Sequence, residues 1–380
     1  MLGLYWDDTH HALKASIDGW VSDHIKPHAA EWEEACQFPN ALFKAAGDAG
    51  ILGVGYDEGV GGTGGDIFHA LIVVESLIRG GSVGTAITLG IHSIAVPPII
   101  ALGNDEQRKR FVPSVLSGEQ VAALAITEPG AGSDVAGVST TAVRDGNDYI
   151  VNGAKTFITA GTRADLFTTL VRTGEEPHGG LTLLVIERDT AGFTVGRNLK
   201  KMGWWASDTA ELFFEDCRVP VANRLGIEGG GFPGAMSNFV SERLVLGANC
   251  VAIAQLALDA SLVHVKAREA FGRPLSAFQV TRHKLAEMAT RTEAARAFVS
   301  TVAARHRDGV DVTTEVAMAK NAASDACSFV TDAAVQIHGG MGYMRESLVE
   351  RLYRDARLYP IGGGTTEIMR ELIGRRLLED

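Results

Sequence analysis

The sequence of 380 residues predicts an α+β protein with three domains, in the order helices, strands, helices. In the first and last thirds, apolar residues recur three and four positions apart, as on one face of an α-helix. The middle third instead contains short runs rich in Val, Ile, Thr and Phe. We therefore expect an N-terminal helical domain over 1–119, a β-barrel or β-sandwich over 120–226, and a four-helix bundle over 227–380.

The predicted N-terminal domain contains helical segments that are bounded by recognisable signals. Asn104 and Gln107 have the spacing of an N-terminal capping box, and Gly103 is placed to end the helix before them. Helical periodicity is clearest in three segments: Asn40–Ala49, Asp66–Arg79 and Asn104–Leu116.

The predicted middle domain contains a hairpin. Residues 144–148 have the composition of a tight turn, and they separate the apolar runs Val138–Val143 and Tyr149–Val151. Many short strands without intervening helices favour a barrel or sandwich over βαβ units. Further strands are predicted at Leu181–Ile186, Phe193–Val195 and Glu211–Phe214.

The predicted C-terminal domain consists of long, alanine-rich helices, which favour close packing in a bundle. Ser276 and Gln279 have capping-box spacing and predict where one helix starts. A second stripe runs from Val316 to Ile337. The first stripe has nearly heptad spacing and comprises Leu285, Met288, Thr292, Ala295, Val299 and Val302.

Composition argues against several classes of function. The formal charge of −11, without a long basic run, makes nucleic acid and anionic membranes poor partners. The four cysteines lack metal-ligand spacing, so we expect no metal site and a reducing compartment. The apolar run at Ser93–Leu102 is too short to span a bilayer. We expect a cytoplasmic protein, or a mitochondrial-matrix protein if a transit peptide was removed.

A glycine-rich loop at residues 124–137 is the strongest local motif. It follows a predicted strand, and its backbone N–H groups could hold a phosphate or the edge of a flavin. The third glycine and the long helix of a dinucleotide-binding fingerprint are missing. Without other information, an ordinary turn is the favoured explanation for such a loop, because glycine-rich loops are common.

This loop resembles the flavin and substrate loop of the acyl-CoA dehydrogenases. The resemblance implies that family's three-domain fold, bound FAD, and oxidation of an acyl-CoA to a trans-2-enoyl-CoA by α-proton loss and β-hydride transfer to flavin N5. It continues in the same order through Val151–Thr159, Lys201–Gly203, Ser207–Glu211, Arg268–Arg273, Gln336–Tyr343 and Pro360–Arg375.

The resemblance also assigns candidate cofactor contacts. Gly132 and Ser133 match positions where the pantetheine of the substrate enters, and Phe157 replaces a Trp that is common in the family. Core packing is the alternative explanation for Phe157 and Phe271. Contacts to the chain's own FAD are implied at Ala125, Ile126, Thr127, Gly132, Ser133, Phe157, Ile158, Thr159, Thr365 and Glu367. Contacts to the FAD of a neighbouring subunit are implied at Arg268, Phe271, Gln336, Gly339 and Gly340.

The catalytic base is predicted at an unusual position. Many family members have a glutamate where this chain has Gly363, and glycine cannot remove a proton. The long-chain and isovaleryl branches have Gly or Ala there, and their base lies in a segment similar to Glu242-Arg243-Leu244. We therefore predict Glu242 as the base, Arg243 as a substrate contact, and the Gly363 N–H as a donor to the thioester carbonyl. The alternative for Glu242 is an acid favoured in a helix's first turn.

The resemblance further implies a place in fatty-acid β-oxidation, an electron-transfer flavoprotein as electron acceptor, and a homo-oligomer, usually a tetramer. Two related enzyme classes stay open: an acyl-CoA oxidase reoxidised by O₂ and a flavin monooxygenase. A non-catalytic scaffold of the same fold is the alternative from another class. The expected substrate is a medium-to-long, straight or branched acyl-CoA.

Overall fold

The computed structural model describes residues 5–379. Residues 1–4 of the predicted N-terminal domain and residue 380 of the predicted bundle therefore lie outside the described part. Within it, helices, strands and helices follow one another along the chain, as the periodicity predicts.

The N-terminal domain is helical, and its predicted segments correspond to α3, α4 and α8. The predicted capping box is confirmed: the Gln107 N–H donates to the Asn104 side chain at 2.8 Å, and the Gln107 side chain accepts from the Asn104 N–H at 2.9 Å. The helices are α1 (Asp8–His24), α2 (Ala29–Glu34), α3 (Ala41–Asp48), α4 (Ile67–Ile78), α5 (Val83–Leu89), α6 (His92–Ala95), α7 (Pro97–Leu102) and α8 (Asp105–Leu116).

The middle domain is one eight-stranded sheet of order β6-β7-β3-β2-β4-β5-β8, with β1 paired in parallel to β4. Asp145 pairs with Asp148 across the predicted hairpin turn, where Gly146 has a φ of 61°. The strands are β1 (Ala122–Ala125), β2 (Thr141–Asp145), β3 (Asp148–Thr159), β4 (Leu166–Arg172), β5 (Leu181–Glu187), β6 (Phe193–Asn198), β7 (Thr209–Pro220) and β8 (Arg224–Leu225).

The C-terminal domain is a helical bundle built on three long helices. Its helices are α9 (Gly231–Ser237), α10 (Phe239–Ala267), α11 (Gln279–Arg307), α12 (Thr313–His338), α13 (Leu348–Ala356) and α14 (Thr366–Leu378). A short hairpin of β9 (Glu269–Ala270) and β10 (Arg273–Pro274) joins α10 to α11. Helices α10 and α12 run parallel, because Cys250 meets Ser324 at 3.8 Å and the His264 and His338 rings stack 14 residues further along each helix.

The predicted capping box at the start of α11 is wrong. Ser276 lies in a 3₁₀ turn over Leu275–Ala277, and α11 begins at Gln279 without a side-chain cap. The Arg282 guanidinium donates to the carbonyls of Ser276 (3.3 Å) and Ala277 (2.9 Å), one turn before its own helix position. The Arg282 side chain therefore binds the backbone carbonyls of this segment, and the local spacing of Ser276 and Gln279 does not reveal that contact.

A buried carboxyl group joins the bundle to the β-domain. The Trp204 backbone N–H donates to Asp355 Oδ1 at 2.5 Å, and both residues are buried. The other oxygen, Asp355 Oδ2, has no hydrogen-bond partner among the described residues. Burial, with the charge of Glu33 nearby, raises the pKa of Asp355 to about 8. This carboxyl group is therefore protonated in the folded protein at neutral pH.

We expect Asp355→Asn to flatten the pH dependence of stability. Between about pH 4 and 8 the unfolded state loses this proton while the folded state keeps it, so the free energy of unfolding falls as pH rises. One such proton contributes a slope of up to about 1.4 kcal/mol per pH unit. The measurement is urea unfolding of both proteins from pH 4 to 8. Parallel curves would contradict a buried, protonated Asp355.

One helical stretch within the described residues, Gly231–Ala267, is long and apolar enough to cross a membrane by length and composition alone. The rest of the protein buries 67% of its most apolar window. Such burial is typical of a core helix, and it agrees with the packing of α10 against α11, α12 and α4. The predicted cytoplasmic location stays a prediction.

Candidate active site

Glu242 lies in the first turn of α10, where its N–H donates to the Asn238 carbonyl at 3.0 Å. Its side chain is half-buried. Burial raises the pKa of Glu242 to about 7, although the charges of Arg243 and Lys320 act in the opposite direction. A carboxylate with such a pKa is suited to proton abstraction near neutral pH.

Gly363 lies against this carboxylate. Its φ is 65°, a conformation that favours glycine. A Cβ at this position would lie 3.6 Å from Glu242 Oε1 and 2.1 Å from Cδ1 of Leu246, which is one helical turn beyond Glu242. The structure thus brings together the two positions 242 and 363, and Leu246 fills the space into which a side chain at 363 would extend.

The glycine turn over residues 362–364 is held from α12. Lys320 Nζ donates to the Gly364 carbonyl at 2.8 Å, and Asn321 Nδ2 donates to the Thr366 carbonyl at 3.2 Å. The Thr365 side chain caps α14 by accepting from the Ile368 N–H. Thr365 and the exposed Glu367, predicted as FAD contacts, therefore lie at the start of α14, directly after the glycine turn.

Arg243 also lies at the glycine turn. Its side chain is largely buried, with the guanidinium 5.1 Å from the Phe239 ring centroid, and a Cβ on Gly364 would lie 3.8 Å from its Nη2. The Nε atom is buried without a hydrogen-bond partner among the described residues. A buried, unpartnered donor beside Glu242 is consistent with a polar substrate group, and the predicted substrate contact stays a prediction.

A buried ion pair holds the glycine-rich loop. Lys155 Nζ lies 2.8 Å from Glu128 Oε1 and also donates to the Ile126 carbonyl at 3.1 Å. Glu128 further accepts from the N–H and hydroxyl of Ser139, both at 2.7 Å, and from the Thr140 N–H at 3.0 Å. Burial opposes its ionisation, but the Lys155 charge and these hydrogen bonds keep the pKa of Glu128 at about 2.

Phe157 presents an exposed aromatic ring beside this loop. It has a φ of 59° within β3, at a register shift between Lys155 and Ile158, and 67% of it is exposed. The neighbouring Thr156 N–H donates to the Thr127 carbonyl at 2.9 Å, which fixes the loop beside β3. An exposed Phe in strained backbone is unlike core packing, and it provides a face for a flat ring.

Other predicted flavin contacts differ in exposure. Ala125 and Ile158 are buried in the core, so only their backbone groups are left for a cofactor. Gly132 and Ser133 are exposed, and a Cβ on Gly132 would meet no atom within 4 Å. Ile126, Thr127 and Thr159 are half-buried. Together with Phe157, these residues fit an open, partly apolar site for a flavin ring.

Helix α6 connects this loop to α10. Ile126 packs against the cluster of buried residues that contains Ala95, which belongs to α6. On the other side, Asn238 Nδ2 donates to the Ser93 carbonyl at 3.5 Å, just before α10. The elements that carry the flavin loop and Glu242 are therefore linked through one short helix.

The second predicted set of FAD contacts lies at the other end of the bundle. The stacked rings of His264 and His338, with centroids 4.2 Å apart, bring together the segments that carry it. The 268 − 242 = 26 residues between Arg268 and Glu242 correspond to about 39 Å along a helix. Phe271 is 95% exposed. The members of this set, all exposed, are Arg268, Phe271, Gln336, Gly339 and Gly340.

One cluster in the described part of the chain has the residue types of a metal site: the ligand atoms of His10, Asp66 and His69 lie within 4.8 Å of one another. Helix capping explains it, because His10 and His69 complete the capping boxes of α1 and α4. Arg307 Nη1 also lies 3.8 Å from Asp66 Oδ2, which disfavours a second cation.

Sequence reasoning assigned no role to three residues that support this site: Lys320, Glu128 and Lys155. All three are buried charged residues. Lys320 interrupts a buried run of Val316, Ala317, Ala319 and Ala323 on α12, and a lysine in such a stripe is the signal that could have identified it.

Comparisons with known proteins agree with the three-domain fold. Three family models match: the N-terminal (7–119), middle (123–217) and C-terminal (229–378) domains of acyl-CoA dehydrogenase. The long-chain specific acyl-CoA dehydrogenase of Sus scrofa is 40% identical over 98% of this chain and 87% of its own. The structure of a probable acyl CoA dehydrogenase from Mycobacterium abscessus is 48% identical, with a TM-score of 0.96 over 98% of this chain and 99% of its own. An acyl-CoA dehydrogenase complexed with FAD from Bacillus anthracis is 32% identical, with a TM-score of 0.92 over 98% of this chain and 67% of its own.

Proposed function

The chain belongs to the acyl-CoA dehydrogenase family of oxidoreductases, and from that premise we propose that it oxidises an acyl-CoA to a trans-2-enoyl-CoA with Glu242 as the base. The observation that carries the proposal is the carboxylate of Glu242 beside the backbone of Gly363. A base and a backbone donor thereby lie side by side in the folded protein.

In this reaction the Glu242 carboxylate takes the α-proton of the thioester and becomes a carboxylic acid. The α-C–H and β-C–H bonds break, and a C=C double bond forms between the two carbons. FAD, when bound, supplies the acceptor for the β-hydride at its N5 atom. Because the pKa of Glu242 is raised to about 7, the carboxylate is a stronger base than an exposed glutamate and is still largely ionised above neutral pH.

The α-carbon is a weak acid, so the thioester carbonyl must be polarised as the proton leaves. The Gly363 N–H is our candidate donor, because its residue lies against Glu242 and has no side chain to block access. Arg243, with its unpartnered Nε, is our candidate for a second polar contact to the substrate. Fixed donors of this kind act on charge that develops in the transition state.

FAD is the typical cofactor of the family, and the residues present fit it. The exposed Phe157 ring and the loop at Ile126–Ser133 would hold the flavin ring. The exposed set at the other end of the bundle lies about 39 Å from Glu242 along α10, which is too far to serve the same ring. We propose that this set contacts the FAD of a neighbouring subunit, and hence that the protein is a homo-oligomer. A tetramer is the proposed state, because it is typical of the family.

The pairing of Gly363 with Glu242 supports the long-chain or isovaleryl branch, with a medium-to-long, straight or branched acyl-CoA as substrate. Leu246 supports the same assignment, since its side chain occupies the space that a glutamate at position 363 would enter. We further propose that electrons pass to an electron-transfer flavoprotein in fatty-acid β-oxidation.

Anaerobic addition of acyl-CoA to the FAD-loaded protein tests the proposed function. We expect the flavin absorbance to bleach at once and to recover slowly when air is admitted. Rapid reoxidation with peroxide release would instead identify an acyl-CoA oxidase, and product hydroxylation a flavin monooxygenase. A flavin that acyl-CoA thioesters of every length leave oxidised would indicate a non-catalytic scaffold.

A further inference from the structure

Lys320 is a fully buried lysine whose role the proposed reaction does not yet include. It lies on α12 within a run of small apolar residues, and its side chain has no exposed surface. Its Nζ donates to the Gly364 carbonyl at 2.8 Å. Lysine is almost never fully buried unless it is paired, because removing an ammonium group from water is costly. The hydrogen bond of Lys320 to the glycine turn is the contact that compensates this cost.

We propose that Lys320 is a positioning residue for acyl-CoA oxidation: it fixes the glycine turn that presents the Gly363 N–H, and its positive charge favours the ionised form of Glu242. This inference rests on the proposed function, since it concerns the same base and the same donor. It assigns to α12 a part in a site otherwise formed by α10 and the segment before α14.

The first half of the inference follows from the flexibility of three consecutive glycines. Gly363 and Gly364 have φ values of 65° and 94°, and glycine loses more conformational entropy on ordering than any other residue. The turn has no side chains with which to hold itself. Lys320 holds the Gly364 carbonyl from a rigid helix, and the adjacent Asn321 holds the Thr366 carbonyl at 3.2 Å. A donor on this turn is thereby fixed before substrate binds.

The second half follows from the charges that face Glu242. Arg243 on the same helix and Lys320 on α12 both favour its ionised form. His306 of α11 contacts the residue before Glu242: its Nε2 is 3.3 Å from Ser241 Oγ. Because burial lowers the pKa of His306, its side chain is neutral near pH 7. The glycine turn adds no charge. Lys320 is therefore one of two cations that oppose the effect of burial on Glu242.

The groups around Lys320 itself are also mixed in charge. Cys250 on α10 and Glu367 on α14 favour its protonated form, whereas burial and Arg243 oppose it. Its acceptor, the Gly364 carbonyl, requires a donor and so is compatible with the ammonium form. Besides Glu242, the carboxylate that favours a charged Lys320 is therefore that of Glu367 on α14.

Lys320→Met is the direct test, because it keeps an unbranched buried side chain and removes both the charge and the donor. We expect the acid limb of the kcat/KM–pH profile to move upward by about one pH unit, as one charge is lost near Glu242. We also expect kcat at pH 7 to fall about tenfold or more, because the Gly363 donor is no longer held. Bound FAD, measured by absorbance, should be retained.

Two further variants separate charge from packing. Lys320→Gln removes the charge but keeps a donor, so its acid limb should also move upward, and it serves as the charge test if the Met variant folds poorly. Asn321→Ala loosens the same turn without a change of charge, so kcat should fall while the acid limb stays where it is. An acid limb that is unchanged in both Lys320 variants would overturn the electrostatic half, and an unchanged kcat in Lys320→Met would overturn the positioning half.

Failure of the inference is distinguishable from failure of the proposed function. If acyl-CoA does not bleach the flavin of the unmodified protein, the proposed function is wrong, and the Lys320 inference is overturned with it. If the unmodified protein is active with an acid limb near pH 7 and the Lys320 variants match it, the inference alone is wrong.

Discussion

Glu242→Gln is expected to abolish turnover while the protein keeps its fold and its FAD. The amide has almost the same shape as the carboxylate but cannot accept the α-proton. General-base catalysis contributes about 10²–10⁴-fold to a rate, so we expect a loss of at least ~10³-fold where the proton is as weakly acidic as this one. The measurement is the rate of flavin reduction in a stopped-flow experiment, with FAD content determined on the same sample.

A matched control is Glu315→Gln. Glu315 also lies in the first turn of a long bundle helix, but its carboxylate is paired with Arg305 at 2.7 Å. We expect this variant to keep the rate of the unmodified protein. Appreciable turnover in Glu242→Gln would show that the base assignment is wrong, whatever the control does.

The pH dependence of the unmodified protein provides an independent check on Glu242. Burial raises its pKa to about 7, so the carboxylate is progressively protonated as pH falls through 7. Because only the ionised form accepts a proton, kcat/KM should fall about tenfold per pH unit well below this value. An ordinary exposed glutamate would instead give a limb near pH 4.3.

The fold could be predicted because periodicity and burial agree over long segments. The stripe that includes Met288, Thr292 and Val299 is buried along α11, and Cys250 and Cys327 are buried as expected of small core residues. Local capping was less reliable. Asn104 caps α8 as its spacing predicts, whereas Ser276 does not cap α11, because a 3₁₀ turn and the Arg282 side chain use that segment differently.

The site could be predicted only in part, for a physical reason. The sequence itself shows that position 363 lacks a carboxylate and that position 242 has one. It does not show that the two positions are in contact, because they are 363 − 242 = 121 residues apart and meet only through tertiary packing. The support of the site depends on buried charges such as Lys155 and Lys320. Hydrophobic patterns assign charged residues to the surface, so pattern analysis places these two lysines incorrectly unless their apolar neighbours are considered.

The largest effect on stability is expected for Lys155→Met. The variant would leave the Glu128 carboxylate buried without its cation, in a loop whose shape depends on that pair. Removing one partner of a buried ion pair typically costs about 3–5 kcal/mol, because the remaining charge is uncompensated. We therefore expect the free energy of unfolding to fall by about that amount and FAD binding to weaken. Urea unfolding and FAD content measure the two effects.

Two comparisons make this expectation specific to the buried pair. Lys44→Met removes a lysine from the exposed pair of Lys44 and Asp48, where we expect a change below about 1 kcal/mol. The double variant Lys155→Met with Glu128→Gln should lose less stability than the sum of the two single variants, because no lone charge is left in the core. Additive losses would mean that Lys155 contributes independently of Glu128, through packing and its hydrogen bond to the Ile126 carbonyl. The glycine-rich loop would then be held by the hydrogen bonds from Ser139 and Thr140 to Glu128 rather than by the charge of Lys155.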